Sequence, residues 1–229
     1  MQPYCVIPAR RGSKRLVAKN LHRLMGRPML AYTVDAALES GIFPEVIVST
    51  EDEEIAAVAR RLGAVAHQRP VELAGDLVSA TDVCLEAHTA RRGPEDAAIV
   101  CLQPSSPLRS GADIRAAWAR FVERKADYLV SVTEIDPHYF HWALRESDGD
   151  WRMWFGDEFM LERPLLPPVF RPNGAIKIGR LGPLRERRNF FGPRLAAYDM
   201  PEERSIHVAF EFDATVAEAV LRGHDTTES

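Results

Sequence analysis

The side chains with the plainest chemistry are cations near the amino terminus. Arg10, Arg11, Lys14, Arg15 and Lys19 crowd into IPARRGSKRLVAKN (residues 7–20), and Arg23 follows just beyond. Gly12 and Ser13 sit among them. A loop of small residues frees backbone amides, a hydroxyl adds a donor, and the cations complete a cradle for a polyanion. Lysine supplies a point charge suited to phosphates, and arginine a planar fork. The run lacks the glycines and Lys-Ser/Thr of a Walker loop, and it is not GxGxxG. The competing reading is a solvated basic turn. The net charge is −4 over 229 residues, so the cluster is local. A nucleic-acid binder would be basic over a whole face, and that class is set aside.

Such a loop needs elements to hold it. YCVIP (residues 4–8) reads as a short buried strand leading into it. Pro28 can open a helix whose Met29, Leu30, Val34, Ala37 and Leu38 share a face, closed by Gly41. Residues 46–48 are a second strand, and residues 64–66 fit a third. Between them Thr50 and Glu53 read as a capping box for a helix carrying Ile55, Val58, Ala59 and Leu62. Residues 68–79 lack periodicity, which marks a long and functionally suspect loop. A helix over 83–90 and a buried strand AIVCL (98–102) follow, then QPSSPLR (103–109). The next helix, 110–125, would turn Ile114, Ala117, Trp118, Phe121 and Val122 inward, ahead of a strand at 128–132. Strands alternating with helices imply parallel βαβ units. In such sheets ligands bind beyond the carboxyl ends of the strands. Three polar loops, 9–20, 68–79 and 103–109, are expected to meet there.

Residues 134–172 break the pattern. They are rich in proline and hold Trp142, Trp151 and Trp154. They read either as an insertion or strand-rich excursion whose exposed aromatics present a partner surface, or as a long loop packed on its own aromatics. Strands are expected at 173–179 and 195–198, and a closing helix at 214–221. Cys5, Cys84 and Cys101 stand far apart in apolar contexts, which reads as reduced core thiols. Apolar residues at 46% and charged residues at 27% suit one globular domain over residues 1–229. No apolar run approaches the ~18 residues of a membrane span, and no secretory signal opens the chain. A cytoplasmic protein is expected, with neither membrane nor nucleic acid as a partner.

Together, IPARRGSKRLVAKN, RPVELAGD, LQPSSPLR and FRPNGAIKI resemble the CMP-sialic acid synthetases, or acylneuraminate cytidylyltransferases. That family includes the enzymes activating pseudaminic and legionaminic acids. The likeness runs over residues 4–222, and Arg163 stands seven residues ahead of FRPNGA as the family pattern asks. The resemblance implies an α/β, three-layer Rossmann-like nucleotidyltransferase fold with a mostly parallel central sheet. It makes residues 134–172 a dimerisation insertion, and so a homodimer. The implied reaction moves a cytidylyl group from CTP to the anomeric hydroxyl of a nonulosonate, a sialic acid-like 2-keto sugar acid, and releases pyrophosphate. Arg10, Ser13, Lys14 and Lys19 would hold the triphosphate, Asn20 would meet the ribose, and Arg69 with the loop to Ser79 would read the cytosine. Gln103 would contact the sugar, although a turn-stabilising amide is the alternative. Arg10, Lys19 and Gln103 are the residues nominated to act in the reaction. On the sugar side, Arg163 and Arg171 would supply cations, either to the sugar's carboxylate or near the phosphates, and Asn173 sits in the same motif. Phe190 and Phe191 would lie near the sugar's acyl group, with one ring turned into the core.

Two departures stand out. Lys177 replaces the tyrosine usual in the family's NGAIY run. Near the carboxyl end the family carries Asp-x-Asp-Thr for Mg2+ (or Mn2+), where this chain has His207, Ala209 and Phe210. Imidazole is a poor ligand for a hard cation. Were residues 207–213 extended, Glu211 and Asp213 would share a face with His207 and could replace the lost carboxylates. Otherwise Asp213 is the N-cap of the last helix. The metal would then be held by the nucleotide phosphates, or the site rebuilt, or catalysis impaired. Two other readings therefore stand beside the transferase: a nucleotide- or sugar-acid-binding relative with impaired catalysis, and a nucleotidyltransferase for a different acidic substrate.

Overall fold

The structure, a computed structural model, describes residues 1–13 and 15–225. Lys14, nominated above for the triphosphate, lies outside the described residues. The chain starts with β1 (Pro3–Pro8), whose Cys5, Val6 and Ile7 are fully buried. After the basic loop come a small hairpin, β2 (Arg23–Leu24) and β3 (Arg27–Pro28), then α1 (Met29–Ser40). β4 (Val46–Thr50), α2 (Glu53–Arg61) and β5 (Val65–Gln68) follow. Next are α3 (Ala80–Ala90), β6 (Ala98–Leu102), α4 (Gly111–Glu123) and β7 (Tyr128–Ile135). The aromatic-rich segment contains α5 (Pro137–His141) and a hairpin of β8 (Leu144–Ser147) and β9 (Asp150–Met153). β10 (Val169–Arg180), α6 (Leu181–Arg187), β11 (Leu195–Asp199) and α7 (Glu211–Asp225) complete the described chain.

Seven strands form one sheet in the order β11-β7-β10-β6-β1-β4-β5. β10 runs antiparallel to both its neighbours, and the other adjacent pairs are parallel. Strands buried on both faces read as continuous apolar runs, which is why YCVIP and AIVCL were visible as strands. The chain leaves β1 on one side for β4 and β5, then returns to its other side at β6. That reversal is a topological switch point, where a crevice opens beyond the strand ends.

Helices cover both faces. Ile7, Val34, Val48, Ile55, Ile114, Phe121 and Ile176 form the core on the face of α1, α2 and α4. Val6, Cys84, Leu85, Cys101, Tyr128 and Leu184 form it on the face of α3 and α6. Each large apolar side chain so buried contributes ~1.5–3 kcal/mol. A third cluster joins Leu16 of the basic loop to Met29, Leu108, Val208, Ala214 and Ala217. It clamps three loops and α7 over the carboxyl edge of the sheet.

Several local expectations are corrected. Asp52, not Thr50, caps α2, accepting from the Ile55 amide at 2.9 Å. Thr50 ends β4 and its hydroxyl instead accepts from the Asp52 amide. Leu38 and Val122 face outward, because the core contact of each helix is narrower than its apolar stripe. α7 begins at Glu211, so residues 207–213 are not one extended run and His207, Glu211 and Asp213 do not share a strand face. Asp213 is not the N-cap either. Its Oδ2 accepts from the amides of Ala209 and Phe210, both at 2.8 Å, and satisfies the helix start from inside its first turn. The aromatic segment, by contrast, carries the strands expected of a strand-rich excursion, in the hairpin β8–β9.

Candidate active site

A cavity of about 420 Å³ opens at the switch point. The basic loop supplies one wall through Arg10, Gly12, Ser13, Arg15, Lys19 and Asn20. Arg69 and residues 73–78 supply the second, and Ala80 and Val83 of α3 line its end. Gln103, Pro104, Ser105, His207 and Ala209 close the far side. The three loops expected to meet do meet, and a segment near residue 207 joins them. A cavity of this size suits one nucleotide-sized ligand.

The basic loop is held in shape from within. The Ala9 amide continues the β1–β4 ladder by donating to Ser49 O at 2.9 Å. Asn20 is buried, and its Nδ2 donates to Arg10 O at 2.7 Å. Ala18 adopts a left-handed conformation (φ 49°) just before the single turn Lys19–Leu21. A strained alanine at the foot of a binding loop needs the surroundings to impose it. The third cluster, through Leu16, does so.

Lys19 lines the cavity with its pKa lowered, first by burial and then by Arg15 and Arg10, against a smaller opposing effect from Asp213. Three cations converge with too little negative charge to balance them, and an entering anion relieves both costs. Arg10 bridges two walls, donating from Nη1 to Ala74 O at 3.1 Å and pairing with Asp76 at 2.8 Å. Asp76 thus occupies a cation that a phosphate could claim.

Arg69 is nearly inaccessible at 3% exposure. Its Nη2 pairs with Glu51 at 2.5 Å, and its buried Nε has no partner among the described residues. Glu51 also accepts from the Arg11 amide at 2.7 Å, so one carboxylate fixes both walls. An unpaired buried donor on a cavity wall is costly unless a ligand oxygen meets it.

Gln103 and His207 share the far corner. Gly174 has φ +77°, and a Cβ there would lie 3.1 Å from Gln103 Oε1 and 3.3 Å from His207 Nδ1. Glycine is therefore required on both counts. The Val208 amide donates to Ser105 O at 2.7 Å, tying the His207 segment to the loop after β6. The His207 pKa falls to about 4, first through burial and then through Lys19, partly offset by Asp213, with Lys177 and Arg171 adding to the fall. Its imidazole is neutral at ordinary pH.

Other nominated residues are placed differently. Asn173 is buried with its amide engaged by Ser131, Ser205 and the Ala175 amide, so it braces β10 rather than facing the cavity. Arg171 is exposed and donates to Ser205 O at 3.4 Å, on the side of His207. Arg163 is not in the cavity wall. It lies 3.6 Å from Asp136 beside a separate depression lined by Glu134, Asp199 and Glu202. Phe190 is in the core with Tyr128 and Leu184, and Phe191 is beside it. Neither ring is among the residues lining the cavity, although Arg188, just ahead of them, pairs with Asp82 in the first turn of α3.

The protein side does not fit a held Mg2+ or Mn2+. Asp213 is spent on two backbone amides. Glu211 is exposed and reaches only His22, at 4.0 Å. His207 is surrounded by cations. Among the described residues no three His, Cys, Asp or Glu side chains gather as a metal site. Hard cations want several oxygen ligands, and the described carboxylates near His207 do not gather into such a set.

Three residues outside the original nomination matter. Glu51 and Asp76 follow from their position past the carboxyl ends of β4 and β5. Arg109 is buried, donating to Ala175 O at 2.8 Å, Thr33 Oγ1 at 2.7 Å and Gln103 O at 3.3 Å. Burial lowers its pKa to about 10, against the opposing influence of Cys5 and Cys101. It sets the backbone from which Gln103 projects. Its place in LQPSSPLR was the available signal.

Residues 4–138 match the family described as Cytidylyltransferase. The pseudaminic acid cytidylyltransferase of Campylobacter jejuni is 35% identical over 207 residues, 88% of each chain. The N-acylneuraminate cytidylyltransferase of Streptococcus agalactiae serotype V is 33% identical over 210 residues, 91% of this chain and 50% of that protein. The chain thus spans about half the length of the streptococcal relative. A solved structure of CMP:2-keto-3-deoxy-manno-octonic acid synthetase complexed with CTP shares the fold, with a TM-score of 0.72 and 16% identity over 98% of this chain and 100% of that one. With the family match and the Campylobacter relative both spanning most of what they cover, the chain belongs to the cytidylyltransferase family.

Proposed function

We propose that the chain transfers the cytidylyl group of CTP to the anomeric hydroxyl of a nonulosonate, releasing pyrophosphate. The observation that carries this reading is the single cavity with Arg10, Ser13 and Lys19 on one wall and Gln103 on the other. In the step, the anomeric hydroxyl loses its proton to solvent, its oxygen bonds to the α-phosphorus, and the bond from that phosphorus to the oxygen bridging it to the β-phosphate breaks, so that pyrophosphate leaves. Negative charge gathers on the departing pyrophosphate, and Arg10 and Lys19 stand where they can stabilise it. Arg10 exchanges Asp76 for phosphate as CTP enters. Arg69 Nε offers its free hydrogen to a cytosine oxygen, and Gln103 holds the acceptor in line. Positioning of this kind supplies much of the rate of phosphoryl-type transfer.

The homodimer has a physical basis in the aromatic segment. Tyr139, Trp151, Trp154, Met160 and Leu165 are each more than half exposed. Apolar surface of that extent marks an interface. We place Arg163 and the segment 137–170 at that interface, and the protein in the cytoplasm, where CTP is. Among the described residues no helix is long and apolar enough to cross a membrane.

A second reading rests on His207, Ala209 and the spent Asp213: a binding relative with impaired catalysis. Pyrophosphate release separates the two. The protein is incubated with each of four nucleoside triphosphates, Mg2+ or Mn2+, and N-acylneuraminic or pseudaminic acid. The transferase reading expects pyrophosphate only with CTP and an acid together. CTP binding without pyrophosphate for any acid supports the second reading, and failure to bind CTP sinks both.

A further inference from the structure

Resting on the transferase reading, we infer that Lys177, assisted by His207, forms the subsite for the carboxylate of the acidic acceptor. Lys177 lies on β10 in register with Cys101 of β6 and Val130 of β7. Ile176 and Ile178 point to the face of α1 and α4, so Lys177 points to the face of α3. Cys101 packs on that same face against Cys84. Gln103 lies two residues beyond Cys101, at the strand end that opens into the cavity.

Ala80 and Val83 of α3 line the cavity together with Gln103 and His207, so the face to which Lys177 points is the face on which the cavity opens. Lys177 is half-buried, and among the described residues its ammonium makes no hydrogen bond or ion pair. A partly desolvated cation without a partner is costly, and an anion that meets it removes the cost. Four rotatable bonds let the ammonium move forward to an anion entering beside Gln103.

The surrounding field points the same way. Lys19, Lys177 and Arg171 all bear on His207, and Asp213 alone opposes them. That corner repels a divalent cation and attracts a carboxylate. His207, being neutral, adds a ring N–H that a carboxylate oxygen can accept. The cations of the basic loop serve the triphosphate, which leaves Lys177 and the exposed Arg171 for the acceptor, and of these Arg171 already donates to Ser205 O. The acceptor class is an acid whose carboxylate lies beside its reacting hydroxyl, as in a 2-keto sugar acid.

The test compares wild type with K177M, which keeps the stem and loses the charge, and K177R, which restores charge. Calorimetry measures CTP affinity for each, then affinity for N-acylneuraminic and pseudaminic acid in the presence of a non-hydrolysable CTP analogue. The expected result is acid binding weakened about 10- to 100-fold in K177M, partly regained in K177R, with CTP affinity unchanged. A matching rise in KM for the acid alone is expected in turnover. Unchanged acid affinity in K177M overturns the inference while leaving the transferase reading intact. Equal loss of CTP and acid affinity overturns it too, because Lys177 then acts on the whole cavity. If wild type binds CTP but neither acid, both readings fall.

Discussion

Replacing Lys19 by methionine should move binding and stability in opposite directions. The side chain lines the cavity with its charge partly desolvated and crowded by Arg10 and Arg15. In the free protein that charge is a burden. In the CTP complex it becomes a charge-assisted hydrogen bond to phosphate, worth ~1.5–3 kcal/mol. Taking about 2 kcal/mol, Kd for CTP should rise about 30-fold. Relief of like-charge repulsion should meanwhile stabilise the free fold by ~0.5 kcal/mol, or ~1–2 °C in Tm for a chain this long. Isothermal titration with CTP gives the first number and calorimetric unfolding without ligand gives the second. A Kd unchanged within twofold would remove the basic loop from the phosphate site. A Tm lowered by several degrees would show that Lys19 is structural and that the crowding argument is wrong.

Other outcomes follow from the same contacts. Asp76→Asn frees Arg10 from a half-exposed ion pair of 2.8 Å, so CTP should bind about 2- to 5-fold more tightly by titration. Glu51→Ala strands Arg69 and should cost ~3–5 kcal/mol in urea unfolding, against ~1 kcal/mol for a surface pair. Asp213→Ala removes the acceptor for the Ala209 and Phe210 amides just ahead of α7 and should cost ~1 kcal/mol of stability, while the Mg2+ concentration for half-maximal turnover stays as in wild type. His207 titrates at 6.5 when unfolded and about 4 when folded, so the unfolded chain takes up its proton first. Stability from this group is full above pH 6.5 and is lost as pH falls towards 4. The shift corresponds to at most ~3 kcal/mol, and about half that after solvent screening. His207→Asn should flatten that limb of a stability-versus-pH curve, and an unchanged slope would refute the assignment.

The central sheet was legible because its strands are buried on both faces and its helices carry periodic apolar stripes. β1 and β6 came out within a residue, and the three polar loops converge as a parallel sheet requires. What failed was local or long-range. The Thr50–Glu53 spacing mimics a capping box, but β4 runs on through Thr50, leaving Asp52 next to the helix. Asp213 was read in sequence as either cap or ligand, and only the fold of residues 207–211 shows it bonding backwards. Phe190 is drawn into the core beside Tyr128 and Leu184 by α6, which follows a β10 that runs against its neighbours. Strand direction in the middle of a mixed sheet leaves little trace in a hydrophobic pattern. Glu51 and Arg109 escaped notice because their partners are distant in the chain.

The account turns on one cavity binding CTP between the basic loop and the residues that follow β5. A crystal structure of the protein with CTP tests this most directly. The account predicts triphosphate oxygens on Arg10, Ser13 and Lys19, with Asp76 released, the cytosine against Arg69 and the α-phosphorus facing Gln103. A triphosphate seated elsewhere, or Arg10 still paired with Asp76 in the complex, would contradict it.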